Sequence, residues 1–244
     1  MDNIQCQNIY TFWTGSNEMP EIRRASFESM RNTNCQVILI NQQNIDNYLD
    51  RKKIHPAYWH LNLAHRADYL RCYFMRHFGG GYADIKRINH SWVECFEELA
   101  MQDDLWAIGY REVNRHGIAN IYQSSCQLKD CAWNRWRTWL HWRWMQLHYK
   151  QMIGICAFIF KPNNRLVDEW WKELNERMDW LLPQLEKNPA KYPKERFGHV
   201  YEGKVSAYPV PWSYLLGDIL HPLVLKYNNH VSNVLPPPDF SEYQ

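Results

Sequence analysis

The sequence predicts an α/β fold, a mixed central sheet flanked by helices. Three observations carry this. Short β-prone runs alternate with helical segments through the first 50 residues. Residues 152–160, MIGICAFIF, form a continuous apolar run of buried-strand length. Residues 164–182 then follow with an amphipathic helical period.

Taken in order, IYTFW at 9–13 is a strand that ends in the turn cluster 14–17. Pro20 suits the first position of a helix over 21–31. QVILI at 36–40 is a buried strand, and 44–49 a short helix. Residues 56–78 read as one long helix, stopped by Gly79, Gly80 and Gly81. Strands are expected at 82–85, 105–110 and 118–122, and a helix at 133–149. The strand at 152–160 and the helix at 164–182, capped by Asn163 or Asn164, come next. The proline-rich last third reads as loops, with one helix near 214–227.

With 244 residues, 45% hydrophobic and 22% charged, the chain suits one large domain with a substantial core. A formal charge of +2 is too small to point to nucleic acid or an anionic membrane as the main partner. Seven scattered cysteines without a CxxC pair point to a reducing, cytoplasmic setting. No apolar run reaches the roughly 18 residues of a membrane-spanning helix, so membrane contact would be peripheral. Thirteen Trp and fifteen Tyr exceed what such a core needs; they are either faces for stacking on sugars and bases or a wide aromatic core with interface residues.

On a helical wheel, Leu63, Ala67, Leu70, Phe74 and Phe78 form one apolar stripe, widened by Leu61, Ala64, Cys72 and Met75. His65, Arg66, Tyr69, Tyr73 and Arg76 fall on the opposite, wetter face. Asp68 and Arg71 fall inside the widened apolar arc, three residues apart and able to touch. Charges there are costly unless paired or used. They are either a structural ion pair or part of a ligand pocket, Arg71 meeting phosphate and Asp68 a hydroxyl. Asp84, at the end of the strand after the glycines, is placed as strand-end carboxylates that hold a cation or a ligand hydroxyl are, and equally as an ordinary turn residue.

The stretch HRADYLRCYFMRHFGGGYADIK, residues 65–86, resembles the donor-binding core shared by capsular-polysaccharide glycosyltransferases, yeast-type α-mannosyltransferases and bacterial glucosylating toxins. Their pattern is D-x-x-R, a hydrophobic stretch, then G-G-x-Y-x-D-x-D; Asp68, Arg71, Gly79, Gly80, Tyr82 and Asp84 match it. FWTGSNEMP at 12–20 resembles the same family's first strand and turn. The resemblance covers roughly the first 95 residues. It implies a GT-A, Rossmann-like domain spanning 1–244, with the nucleotide sugar bound by 1–95 and the acceptor by 96–244. It also implies transfer from a nucleoside diphosphate sugar to a glycan, lipid-linked or protein-linked hydroxyl. Phe12, Trp13 and Thr14 would border the base, with Trp13 stacking on it. Asp68 would bind sugar or ribose hydroxyls, Arg71 the sugar or diphosphate, and Tyr82 and Asp84 would complete the pocket. The departure is Lys86, which replaces the second Asp, the family's main metal ligand. A Mn²⁺ or Mg²⁺ ion would then rest on Asp84 alone. Lys86 either neutralises the leaving diphosphate itself or faces solvent.

Glycosyl transfer builds negative charge on the leaving group, so cations must meet it. An inverting route also needs a base. Asp218 is one candidate, or else a helix N-cap; His221 either reaches the diphosphate or is an ordinary residue before Pro222. In WNRWRTWLHWRW, residues 133–144, the positions Trp133, Trp136, Leu140, Trp144 and Leu147 follow core spacing, with Trp139 and Trp142 off the stripe. This is either a core helix with cation–π contacts or an acceptor platform or interfacial anchor. The competing reading of the whole chain is a non-catalytic carbohydrate or nucleotide-sugar binding protein; a sugar-phosphate transferase is a third. Asp84→Ala is expected to abolish transfer and spare the fold.

Overall fold

The structure is a computed structural model and describes residues 7–128 and 134–241. Trp133, Cys6 and Cys131 lie outside the described residues. The chain runs β1 (Asn8–Trp13), α1 (Glu21–Ser29), β2 (Gln36–Asn41), α2 (Leu63–His77), β3 (Gly80–Ala83), α3 (Val93–Met101) and β4 (Ala107–Arg111). It continues through α4 (Ile121–Gln127), α5 (Arg135–Leu147), β5 (Ile153–Phe160) and α6 (Arg165–Lys187). A two-strand hairpin, β6 (Val200–Tyr201) and β7 (Lys204–Val205), precedes α7 (Gly217–Lys226) and β8 (Val231–Ser232).

Six strands form one mixed sheet in the order β2-β1-β3-β5-β4-β8. β1 pairs parallel to β2 and β3, β5 runs antiparallel to β3 and β4, and β8 adds in parallel beside β4. The ends of β1, β2, β3 and β4 therefore share one edge of the sheet with the start of β5. Residue alternation sends Tyr10, Phe158 and Phe160 to the face covered by α2, α6 and α7, and Ile9, Ile108 and Ile159 to the face that buries Met30, Trp92 and Leu99. The α/β class and the mixed sheet flanked by helices are as expected from the sequence.

Several local expectations are corrected. The helix expected over 56–78 breaks at Leu61: Pro56–His60 is a short 3-10 turn, and Asn62 caps α2 by accepting from the His65 N–H at 2.7 Å. Part of the wet face assigned to α2 is buried: Arg66 and Arg76 stay partly exposed, but α6 covers Tyr69 and Tyr73. Tyr69 and Tyr73 pack at steep angles against Trp171, and their hydroxyls accept from the His55 and Asp50 N–H groups. His65 is also buried, whereas Phe78 is exposed. Residues 118–122 form no strand: α4 begins at Ile121, capped by Asn120, which accepts from Gln123. The helix ending expected at 182 runs through Pro183 to Lys187, its last turns held by buried Leu181 and Leu185. β8 is a short strand that the proline-rich tail did not reveal.

The stripe on α5 is the largest reversal. Trp136, Leu140, Trp144 and Leu147 are 61, 48, 55 and 74% exposed. Met145 is buried on the opposite side, with Trp142 packed against the core.

The glycine turn is a steric requirement. Gly79 and Gly80 have φ of +65° and +84°. A Cβ at Gly79 would lie 2.5 Å from Pro162, and one at Gly80 2.8 Å from the Asn8 carbonyl. β3 can therefore slot between β1 and β5 only with glycine there.

Candidate functional site

α2 and β3 converge where the parallel strands end. Asp84 continues the ladder by one residue, its N–H donating to the Cys156 carbonyl at 2.7 Å. Its own carbonyl accepts from the Lys86 N–H at 2.7 Å, a tight turn that brings the Lys86 side chain back over Asp84. One carboxylate oxygen of Asp84 accepts from Arg71 Nη2 at 2.8 Å and from the Tyr82 hydroxyl at 2.6 Å; the other accepts from Lys86 Nζ at 2.6 Å. Arg71 also donates to the Ile155 carbonyl at 3.2 Å, sits 4.5 Å over the Tyr82 ring, and reaches Asp68 at 3.5 Å. Phe12 packs against Phe74 and Tyr82, with centroids 5.2 and 5.1 Å away, and so braces the Tyr82 ring.

The electrostatics follow from burial and pairing. Burial acts against the Asp84 charge, but Arg71 and Lys86 outweigh it and hold the carboxyl well below the usual carboxylate range. Burial likewise opposes the charge on Arg71 and Lys86. Tyr82, Asp84 and Asp68 overcome it for Arg71, and Asp84 and Cys156 for Lys86, so both stay protonated. Asp68 behaves oppositely: burial pushes it up to about 7, against the pull of Arg71 and with a further push from Asp84. Below that pH the cluster holds two cations and one carboxylate, a net positive charge beside a partly open Asp84.

Asp68, Arg71, Tyr82, Asp84 and Lys86 thus form one contiguous cluster. Lys86 does not face solvent: its side chain is buried, with the Phe240 ring 5.5 Å from its ammonium. Trp13 and Thr14 sit half-buried at the end of β1, the Trp13 indole donating to the Asn17 carbonyl at 2.9 Å and the Thr14 carbonyl accepting from Gln42. Asp218 and His221 make no hydrogen bond or ion pair with the cluster. Asp218 is the second residue of α7 and does not cap it. Its carboxyl is buried and raised by burial with Ser124 and Ser213 opposing, and the residue borders a separate cavity of about 800 Å³ with His141, Arg177 and Tyr214. His221 is fully buried, accepts from the Ala119 N–H at 3.0 Å, and is pushed down to about 4 by burial. Ile155 and Cys156 of β5 are cluster members that sequence reasoning missed; nothing in their own segment marks them.

The residues present do not fit a divalent cation. Both Asp84 oxygens already accept from Arg71, Tyr82 and Lys86, and an ammonium occupies the place of a second carboxylate.

A family model described as capsular polysaccharide synthesis protein matches residues 1–124, just over half of the chain and every residue of the cluster except those of β5. The chain belongs to the capsular polysaccharide synthesis family. No curated protein and no solved structure matches it. Membership places the chain in polysaccharide synthesis. Among its described residues, no helix is long and apolar enough to cross a membrane.

Proposed function

We propose that the protein transfers a glycosyl unit from a nucleoside diphosphate sugar to a hydroxyl of a glycan, lipid-linked or protein-linked acceptor, without a divalent metal. The observation that carries this reading is the Asp84 cluster, a carboxylate held by two buried cations at the carboxyl edge of the parallel strands, where open α/β sheets bind ligands. The open edge of Asp84 takes ribose or sugar hydroxyls. Arg71 and Lys86 set up a positive field before the donor arrives, so charge growing on the leaving diphosphate is met without reorganisation. Trp13, at the end of β1, offers a face for the base. Asp68, neutral up to about pH 7, donates to or accepts from a sugar hydroxyl. With Asp218 and His221 outside the cluster, the leaving phosphate is the acceptor's proton sink in this scheme, which suits a retaining outcome.

One observation favours a second reading, a non-catalytic nucleotide-sugar binder: both Asp84 oxygens already accept from Arg71, Tyr82 and Lys86. A panel of UDP-, GDP-, CDP- and dTDP-sugars separates the two. Release of nucleoside diphosphate that is stimulated by a glycan acceptor and unaffected by EDTA is the expected result. Binding by thermal shift with no turnover of any donor would leave only the binder.

A further inference from the structure

α5 carries an aromatic, cationic face that the rest of the fold leaves uncovered. Trp136, Leu140, Trp144 and Leu147 recur every three or four residues, share one side of the helix and are exposed. At about 100° per residue, Arg143 and Trp139 flank this stripe on one side and Arg137 and His141 on the other. The opposite side anchors the helix to the body, through buried Met145, through Trp142 and through Gln146, which donates to the Arg115 carbonyl. Residues 134–151 contain Arg135, Arg137, Arg143 and Lys150 and no Asp or Glu. Glu169, Glu173, Glu176 and Asp218 line a cavity that Arg137 and His141 also line.

Tryptophan at the centre with cations on both flanks is the pattern of a helix lying in a lipid–water interface. The cations complement anionic headgroups. A second copy of the chain fits worse, because pairing α5 with α5 would oppose Arg137 and Arg143 to their own copies. The position also fits. The turn Tyr149–Gln151 leads from α5 straight into β5, whose start lies at the sheet edge where β3 delivers Asp84.

We propose that α5 seats this protein on an anionic bilayer surface, lying in the plane of the headgroups with the Asp84 edge of the sheet toward the lipid. The binding does not depend on glycosyl transfer, so its failure and the failure of the catalytic reading are separable.

Cosedimentation of the full chain with phosphatidylglycerol-rich vesicles tests it. Binding is expected at low salt, and is expected to fall with added salt and with pure phosphatidylcholine. Trp136→Ser/Trp144→Ser/Leu147→Ser should weaken it at least about a hundredfold, and Arg137→Gln and Arg143→Gln about fivefold each. Trp136, Trp144, Leu147 and Arg137 are exposed, so the triple variant and Arg137→Gln should unfold at the wild-type midpoint; Arg143 also donates to Gln146 at 2.8 Å, so the Arg143→Gln binding loss is read beside its own midpoint. Failure of the wild type to pellet with anionic vesicles, or unchanged pelleting of the triple variant, would overturn the proposal. So would wild-type dimers in sedimentation velocity that the triple variant abolishes, with no vesicle binding by either.

Discussion

Asp84→Ala removes the carboxylate that Arg71, Tyr82 and Lys86 share, and its first effect should be on stability. Lys86 is 4% and Arg71 11% exposed, so both cations lose their principal counter-ion in a poorly solvated place. Breaking a buried ion pair from one side destabilises by about 3–5 kcal/mol. Asp84 itself is 20% exposed, and Arg71 keeps Asp68 and the Ile155 carbonyl, so the low end, about 3 kcal/mol, applies. For a domain of this size each kcal/mol moves Tm by about 2–4 °C, giving a fall of about 6–12 °C. The geometry thus revises the sequence expectation that this variant spares the fold. Scanning calorimetry measures the effect, and a partner variant isolates its cause. Asp84→Ala/Lys86→Met discards one stranded cation and should recover about half of the loss. A single variant that melts within about 2 °C of the wild type, or a double variant that melts lower than the single one, would refute the counter-ion argument.

Transfer by the wild type should change less than about twofold in EDTA, because Lys86 already neutralises Asp84; a rate abolished by chelator and restored by Mn²⁺ would reverse that assignment. Asp68 holds its proton to about pH 7 in the fold but releases it near 3.8 when unfolded. Its contribution to stability is therefore full below about 3.8 and is lost as pH rises through 7, so Asp68→Asn should narrow the Tm difference between mildly acidic and mildly alkaline buffer. An Asp68 carboxyl titration by NMR with its midpoint below 5 would contradict this. Gly154→Ala would drive a Cβ into the ring of buried Tyr110 and should destabilise by about 2–3 kcal/mol, read as a Tm lower by about 4–12 °C.

What the sequence disclosed was periodicity and local chemistry. The strands β1, β2 and β5 were legible because their apolar runs are long enough to exclude other readings. The misplaced charges Asp68 and Arg71 were legible because an ion on an apolar arc needs a reason. The faces of α2 and α5 were misjudged for one physical cause: a wheel reports which residues share a side, not what lies opposite. Tyr69 and Tyr73 are buried because distant backbone amides satisfy their hydroxyls and Trp171 covers their rings. The same limit hid Ile155 and Cys156, each delivering a backbone carbonyl by strand pairing, with the Cys156 side chain also beside Lys86.

The position of β5 has a consequence for how this protein can be divided. The region shared with its family closes at residue 124, yet the strand wedged between β3 and β4 arrives only at Ile153. A polypeptide cut at that boundary would leave two raw sheet edges facing each other across an empty lane. The matched stretch thus lacks the strand that joins β3 to β4, and the later half of the chain supplies the keystone.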